Sequence, residues 1–212
     1  MSKTVIEKTK TTLRIVLGVC FVLSGTMKAV NVYSFAQEIR LYIEAYFDTI
    51  MLPWTVEIAV VICSIETVTG MFALKKKYSM VVSATFFMMM SFFLWLTGVN
   101  YFSPSLLGSI ESCGCFGELI HFSSMESFAK STVLWILATA LLGLYLTTGW
   151  QVSIKALLLE RVTYLFVIVG IAPALYSYFC FENMEHRFYL AGYLVLLAFM
   201  VIILGFCHVI RK

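Results

Sequence analysis

The sequence predicts an all-α integral membrane protein, and composition, long apolar runs and the placement of basic residues carry that prediction. Hydrophobic residues make up 61% of the 212 residues and charged residues only 13%, about half the charged share of a soluble domain. A single soluble globule could not hide this much apolar surface, so the lipid bilayer is the expected surroundings of the chain. The basic residues are dispersed among apolar segments, which gives no indication of nucleic-acid binding.

Six apolar runs are long enough to cross the hydrocarbon core, which takes about 20 residues of helix. They are Leu13–Asn31, Trp54–Leu74, Tyr78–Asn100, Ser131–Gly149, Val162–Phe181 and Phe188–Ile210. We therefore predict a helical bundle of six transmembrane helices, divided into a four-helix membrane domain over residues 1–150 and a two-helix extension over residues 151–212. Ser123 followed by Glu126 resembles a capping box, so the fourth helix is expected to begin before its membrane segment.

The basic residues also predict an orientation, because cytoplasmic connections carry an excess of lysine and arginine. With six spans, most of the 15 basic residues fall on one side of the membrane. They lie at the N-terminus, in Lys75–Lys76–Lys77, between spans four and five and at the C-terminus. The prediction is a protein of the cytoplasmic (inner) membrane with both termini cytoplasmic and the third connection between spans extracytoplasmic at residues 101–130.

The first extracytoplasmic connection contains an amphipathic segment, Phe35–Phe47. Its apolar residues recur at helical spacing with polar residues between them, which predicts a short helix. Such a helix could lie on the membrane interface or pack under the third connection as a lid.

The third connection holds the segment Ser112–Cys113–Gly114–Cys115–Phe116–Gly117. Thiols this close can form one strained disulfide, which is easier to reduce than a relaxed one and can exchange with a partner. Gly114 allows the backbone to bend between the sulfurs, and Gly117 could serve a following turn. Since extracytoplasmic space is oxidising, Cys113 and Cys115 are the candidate catalytic pair.

Other interpretations of this pair stay open. Cys113, Cys115 and His121 could bind a metal, although structural zinc sites usually show two pairs of ligands spaced two to four residues apart. The pair could also be a fixed structural disulfide or two free thiols. We predict no metal site and no firmly bound cofactor.

The remaining four cysteines lie in apolar runs. Cys20, Cys63 and Cys207 are expected to behave as small hydrophobic residues. Cys180 lies at the extracytoplasmic end of the fifth run, on the same side as the pair, and is a candidate accessory thiol.

Three charged residues inside apolar runs require an explanation, since a charge in hydrocarbon costs about 2.5–3.5 kcal/mol on insertion scales. Lys28 and Glu57 each lie about 5 Å from the outer end of their spans, which makes a Lys28–Glu57 pair sterically reasonable. Glu66 lies about 18 Å deep and on the opposite side of its helix from Glu57, so the two carboxylates should face different neighbours. Alternatively, Lys28 could snorkel to the lipid head groups and Glu57 could be solvated at the membrane interface. Glu66 could be a neutral acid hydrogen-bonded to a neighbouring helix, or it could relay protons or contact a quinone.

Residues 10–150 resemble the MauE/DoxX-like family of membrane proteins, named for methylamine utilisation. The resemblance rests on Arg14-x-x-x-Gly18, Phe21, Ser24–Gly25-x-x-Lys28 and Phe35, on Glu66-x-x-x-Gly70, and on Cys113–Gly114–Cys115–Phe116–Gly117. The last of these matches the family's signature loop residue for residue. The final two spans depart from the family pattern.

The resemblance implies a four-helix membrane protein that works beside a periplasmic thioredoxin-like partner during maturation of an amine dehydrogenase subunit. It implies Cys113 and Cys115 as the redox pair, with Lys28 and Glu66 as supporting polar residues, and a thiol–disulfide oxidoreductase activity. Glu57, identified from its position inside an apolar run, is a further candidate supporting residue. DoxX relatives are linked to thiosulfate:quinone oxidoreduction, which makes a quinone the candidate electron acceptor. A protein of another class, a non-catalytic assembly factor or a small-solute transport component with a structural disulfide, is the alternative.

Overall fold

The computed structural model describes residues 3–46, 49–76, 79–102, 123–148 and 161–180, and these are helical throughout apart from short turns. Their α-helices are α1 (Lys3–Val30), α2 (Val32–Tyr46), α3 (Thr55–Ala73), α4 (Ser79–Phe102), α5 (Ser124–Thr148) and α6 (Arg161–Cys180), with a 3-10 helix at Thr49–Trp54. The all-α prediction is therefore confirmed for the described part of the chain.

Within the described residues, four helical segments are long and apolar enough to cross a membrane, namely Thr4–Val30, Ile50–Ala73, Ser79–Phe102 and Ser124–Thr148. They correspond to the first four predicted spans, although α1 begins ten residues before Leu13. The fifth predicted span corresponds to α6, whose apolar part Tyr164–Tyr178 is shorter. The sixth lies outside the described residues, and the predicted orientation and the division at residue 150 stay predictions.

The exposed surface of these helices suits a lipid environment. Met88, Ile136 and Ile168 are 70%, 53% and 65% exposed, although each is large and apolar. In water such side chains would form costly apolar patches, whereas a bilayer accommodates them. The described helices therefore fit a membrane-embedded protein.

Asn31 separates α1 from α2 and begins the second helix. Its side-chain Oδ1 accepts a hydrogen bond from the backbone N–H of Ser34 at 3.1 Å, which is the arrangement of an N-cap. The predicted amphipathic helix is thus confirmed as α2, with Phe35, Ala36 and Ile43 buried. These residues face the bundle, since α2 packs along the first turns of α3.

The capping box predicted for the fourth helix is confirmed at the start of α5. The backbone N–H of Ser123 donates to Glu126 Oε2 at 2.9 Å, and the backbone N–H of Glu126 donates to Ser123 Oγ at 3.3 Å. Each residue satisfies a helix-terminal donor of the other, so α5 begins at Ser124, well before the apolar run.

Helix α3 is central and packs against α1 through glycines. A Cβ atom on Gly18 would lie 2.7 Å from Ala73 Cβ, and one on Gly70 would lie 2.7 Å from the carbonyl oxygen of Gly18. A Cβ on Gly25 would lie 2.5 Å from Thr67 Oγ1 and 2.9 Å from Glu66 Cβ. Such small residues let two membrane helices approach closely, and here they set the register of α1 against α3.

The antiparallel order of the helices defines two ends of the bundle. Lys10, near the start of α1, hydrogen-bonds Thr148, the last residue of α5, so α5 begins at the end where α1 finishes. We call that end, which carries α2, the loop end. Tyr101 and Phe102 of α4 pack against Phe128 of α5 there, with centroid distances of 5.5 and 5.4 Å.

Helix α6 packs against α3 and holds the junction of α1 and α2. Gly170 lies directly on Val68, because a Cβ there would lie 2.5 Å from Val68 Cγ2. Ser177 Oγ accepts a hydrogen bond from the backbone N–H of Val32 at 3.1 Å and donates to the carbonyl oxygen of Val30 at 3.2 Å. One hydroxyl thus bridges the end of one helix and the start of the next.

Candidate functional site

A buried ion pair links α1 to α3. Lys28 Nζ lies 2.6 Å from Glu66 Oε1, and the two side chains are only 1% and 2% exposed. The other described ion pairs, such as Arg40–Glu44 and Lys76–Glu7, each include at least one largely exposed partner. Ionisable residues buried inside membrane helices are costly, and they commonly mark substrate, ion or proton sites.

The structure corrects the suggested partner of Lys28, which is Glu66 rather than Glu57. The sequence estimate placed the ends of the first two spans at one level, but the first turns of α3 pack beside α2, beyond the end of α1. Gly25 lies against Glu66, and Lys28 follows one turn later, with a side chain that tilts back toward the start of α1. Glu57 is exposed, and the Tyr178 hydroxyl lies 3.5 Å from its Oε1. The expectation that Glu57 and Glu66 face different neighbours is confirmed.

Two aromatic rings flank the Lys28 ammonium group. Its Nζ lies 5.1 Å from the centroid of Phe35 and 4.8 Å from that of Phe93. Both distances allow cation–π attraction, which strengthens when water is excluded. Phe35 comes from α2 and Phe93 from α4, so four helices in all contribute to the surroundings of the pair.

The second carboxylate oxygen of Glu66 is buried, and no group among the described residues hydrogen-bonds to it. A buried acceptor without a partner costs about 1–3 kcal/mol, and more when it is charged. Such an atom is therefore expected to receive a donor from a bound molecule or water. Glu66 lines a cavity, described below, from which a donor can come.

A first cavity of about 250 Å³ lies beneath α2 and reaches Lys28. We call it the loop-end cavity. Its lining is largely apolar and comes from α2, α3, α4 and the 3-10 helix, with Glu38 and Tyr42 as its other polar residues. In the described part of the chain α2 covers this cavity. Whether α2 also lies under the cysteine connection stays a prediction, because that connection is outside the described residues.

A second cavity of about 400 Å³ lies between α1, α3, α4 and α5. We call it the lateral cavity. It is lined by apolar side chains such as Phe21, Met90 and Leu134, together with the polar residues Ser24, Lys28, Glu66, Lys130 and Ser131. Lys28 and Phe93 line both cavities, so the ion pair lies where the two meet.

The candidate catalytic cysteines Cys113 and Cys115 and the turn glycines Gly114 and Gly117 lie outside the described residues, as does His121. The flanking residues Phe102 and Ser123 are described and lie at the loop end. Cys180 ends α6, but the position of its thiol is likewise not described.

Cys20 and Cys63 are free thiols in α1 and α3, and Cys63 is fully buried, as expected for small hydrophobic residues. Among the described residues no group of three His, Cys, Asp or Glu side chains could hold a metal ion. The alternative metal ligands of the third connection lie outside those residues.

Two residues of the site were not identified from the sequence. Phe93 belongs to an aromatic-rich helix in which no single ring stands out, and nothing in the sequence distinguishes it. Lys130 falls at the end of the predicted third connection, residues 101–130, yet it lies on the second turn of α5 and lines the lateral cavity. The capping box at Ser123 could have indicated the position of Lys130, because a helix that begins there places Lys130 on its second turn and beside the other helices.

Most of the helical residues that carry the family resemblance lie at this site or along the α1–α3 contact that leads to it, whereas Arg14 is buried nearer the other end of α1. Gly18 packs on Gly70, Gly25 packs on Glu66, and Lys28 pairs with Glu66. Phe21 lines the lateral cavity, and Phe35 lies beside the Lys28 ammonium group. These residues are far apart in the sequence, but together they form one continuous set of side-chain contacts between α1, α2 and α3.

Comparison with curated proteins and with solved structures gave no match. Comparison with protein families matched residues 6–150 to the family described as methylamine utilisation protein MauE. The matched range includes all but the first three residues of α1, the whole of α2 to α5 and the cysteine motif, and it ends before α6. It covers more than half of the chain, and the chain therefore belongs to the MauE family.

Proposed function

We propose that this protein is a membrane-embedded thiol–disulfide redox protein in which Cys113 and Cys115 cycle between dithiol and disulfide. The pair would exchange with a thioredoxin-like or client protein in the extracytoplasmic space. Membership in the MauE family suggests a membrane protein in methylamine utilisation, which makes a component of that process the expected client.

The observation that carries the proposal is the Cys113–Gly114–Cys115 motif inside the family match. Two thiols separated by one glycine form a small ring on oxidation, and an accessible thiolate can attack the resulting disulfide. A purely structural bond would not need such close cysteines.

The described helices support the proposal through their arrangement. The residues that flank the cysteine connection lie at the loop end, and the Lys28–Glu66 pair is about one helical turn below the end of α1 at the same end. Buried polar groups near a redox pair can accept or supply the protons that thiol oxidation releases. The helices would then hold the acid–base partner of the chemistry that the connection performs.

Trapping tests the proposal directly. In Cys113→Ser and Cys115→Ser variants the remaining thiol cannot resolve a mixed disulfide, so one of the two should accumulate a reducible adduct with an extracytoplasmic protein. Mass spectrometry of the adduct identifies the partner. Cys207→Ala is the matched control, because this cysteine lies in the sixth apolar run, outside the family match, and its replacement should leave trapping unchanged. The absence of adducts in both single variants, with normal membrane insertion, would contradict the proposal.

The cavities on both sides of the buried ion pair favour one other function, a small-solute path with a disulfide that only staples the connection. Cys113→Ser discriminates the two. It should abolish a redox activity, but it should leave a transport or assembly activity partly intact as long as the protein inserts.

A further inference from the structure

We propose that the lateral cavity binds the head group of a quinone taken from the bilayer, with Glu66 Oε2 as the hydrogen-bond acceptor for a hydroxyl of its reduced form, the quinol. The inference rests on the proposed function, because oxidation of a dithiol requires an electron acceptor, and it names the site and the class of that acceptor.

The cavity has the size and the composition of a site for such a molecule. Its volume of about 400 Å³ falls in the range of small-molecule sites, and most of its lining is apolar. A flat, largely apolar ring would be held by Phe21, Met90 and Phe93. Those apolar contacts give affinity but do not fix the orientation of the ring. Polar groups of the cavity must fix that orientation.

The polar groups of the cavity complement the two redox forms of a quinone. Glu66 Oε2 is buried, lacks a hydrogen-bond partner in the described chain, and can accept a hydrogen bond from a quinol hydroxyl. Lys130 and Ser131, on the wall formed by α5, carry groups that can donate to a ring carbonyl. Acceptor and donors thus line one cavity.

The position of the cavity allows entry from the membrane. Ala129 and Val133 lie one turn apart on α5 at the cavity wall, and both are exposed in the described structure. A quinone dissolved in the bilayer could enter between α1 and α5 without crossing water.

The redox step balances with this acceptor. Oxidation of the Cys113 and Cys115 thiols forms one S–S bond and releases two electrons and two protons. The quinone takes up both electrons and both protons and becomes a quinol. Glu66 would exchange protons and hydrogen bonds with the ring oxygen, while Lys28 holds its other carboxylate oxygen.

Photolabelling tests the site. The full chain would be placed in nanodiscs of phosphatidylcholine and phosphatidylglycerol and labelled with a photoreactive azidoquinone, with decylubiquinone as competitor. We expect competed labelling on peptides of α1 or α5 that line the cavity. Val133→Trp should fill the mouth and lower labelling by at least about tenfold, which corresponds to about 1.4 kcal/mol.

Ile136→Trp is the matched control, because Ile136 is as exposed on α5 but does not line the cavity. It should keep labelling within about twofold of the parent. Lys130→Gln should weaken labelling as well, since it removes a charged donor from the wall. Labelling that decylubiquinone does not displace, or that both tryptophan variants lower equally, would overturn the site.

The same experiment on a Cys113→Ser/Cys115→Ser variant separates this inference from the proposed function. Labelling should persist there, because the site is built from helices. Competed labelling without any thiol exchange in the parent would overturn the proposed function alone. Thiol exchange without competed labelling would overturn the quinone site alone.

Discussion

Two lysine–glutamate pairs at opposite ends of α1 show how burial changes the role of one kind of bond. Lys28–Glu66 joins side chains that are 1% and 2% exposed, whereas Lys76–Glu7 joins side chains that are 78% and 50% exposed. The two exposed side chains are solvated whether or not the ion pair forms, so the pair contributes little to the free energy of unfolding. The two buried side chains have no access to water, so each charge is compensated only while its partner is present. The comparison indicates that Lys28–Glu66 is a built polar site, whereas Lys76–Glu7 is an ordinary surface ion pair.

The largest effect should come from removing one member of the buried pair. Glu66→Leu leaves the Lys28 ammonium group buried without its carboxylate, and Lys28→Met does the reverse. Each should lower the free energy of unfolding by about 3–5 kcal/mol, because an unpaired charge then remains in the bundle. Unfolding in mixed micelles with increasing dodecyl sulfate measures the loss.

The double variant Lys28→Met/Glu66→Leu sharpens this prediction. Apolar side chains of similar size should recover most of the stability, since no charge is left buried. Recovery of stability without recovery of activity would mark the pair as functional. A double variant no more stable than either single variant would contradict the pairing.

A smaller effect is expected where α1 crosses α3. Gly25→Val should destabilise the protein by about 1–3 kcal/mol, because a Cβ there meets Thr67 and Glu66 at less than 3 Å and overpacking forces the helices apart. Gly143→Val is the matched control, since a Cβ at Gly143 meets nothing within 4 Å. Equal loss in both variants, measured by the same unfolding assay, would show that this crossing is not tight.

The junction of α1 and α2 should be moderately sensitive. Ser177→Ala removes one hydroxyl that accepts from Val32 and donates to Val30, at a cost of about 1–2 kcal/mol for the two hydrogen bonds. Thr147→Ala removes a hydroxyl that bonds only within its own exposed turn and should change stability by less than about 0.5 kcal/mol. If the two variants behave alike, α6 does not hold this junction.

The smallest effect should come from the exposed pair. Lys76→Gln should change the free energy of unfolding by less than about 1 kcal/mol, because both partners reach solvent. Added salt should reduce even this difference. A loss comparable to that of Glu66→Leu would remove the distinction between the buried and the exposed pair.

The sequence predicted what depends on local pattern. Apolar run length identified α1 and α3 to α5, helical spacing identified α2, and Ser123 with Glu126 located the start of α5. The partner of Lys28 could not be predicted from depth alone. The partner depends on how far α3 extends past the end of α1. That offset follows from the glycine contacts and from the packing of α2, which are tertiary contacts that the sequence alone does not show.

The redox potential of Cys113/Cys115 tests the central claim most directly. The chain would be equilibrated in membranes with glutathione buffers, with its other four cysteines replaced by alanine or serine, and trapped with a mass-shifting thiol reagent. A catalytic pair should titrate as a reversible two-electron couple between about −120 and −270 mV, where thiol oxidoreductases fall. A pair that stays oxidised below about −300 mV, or that never oxidises, would contradict a thiol–disulfide redox function.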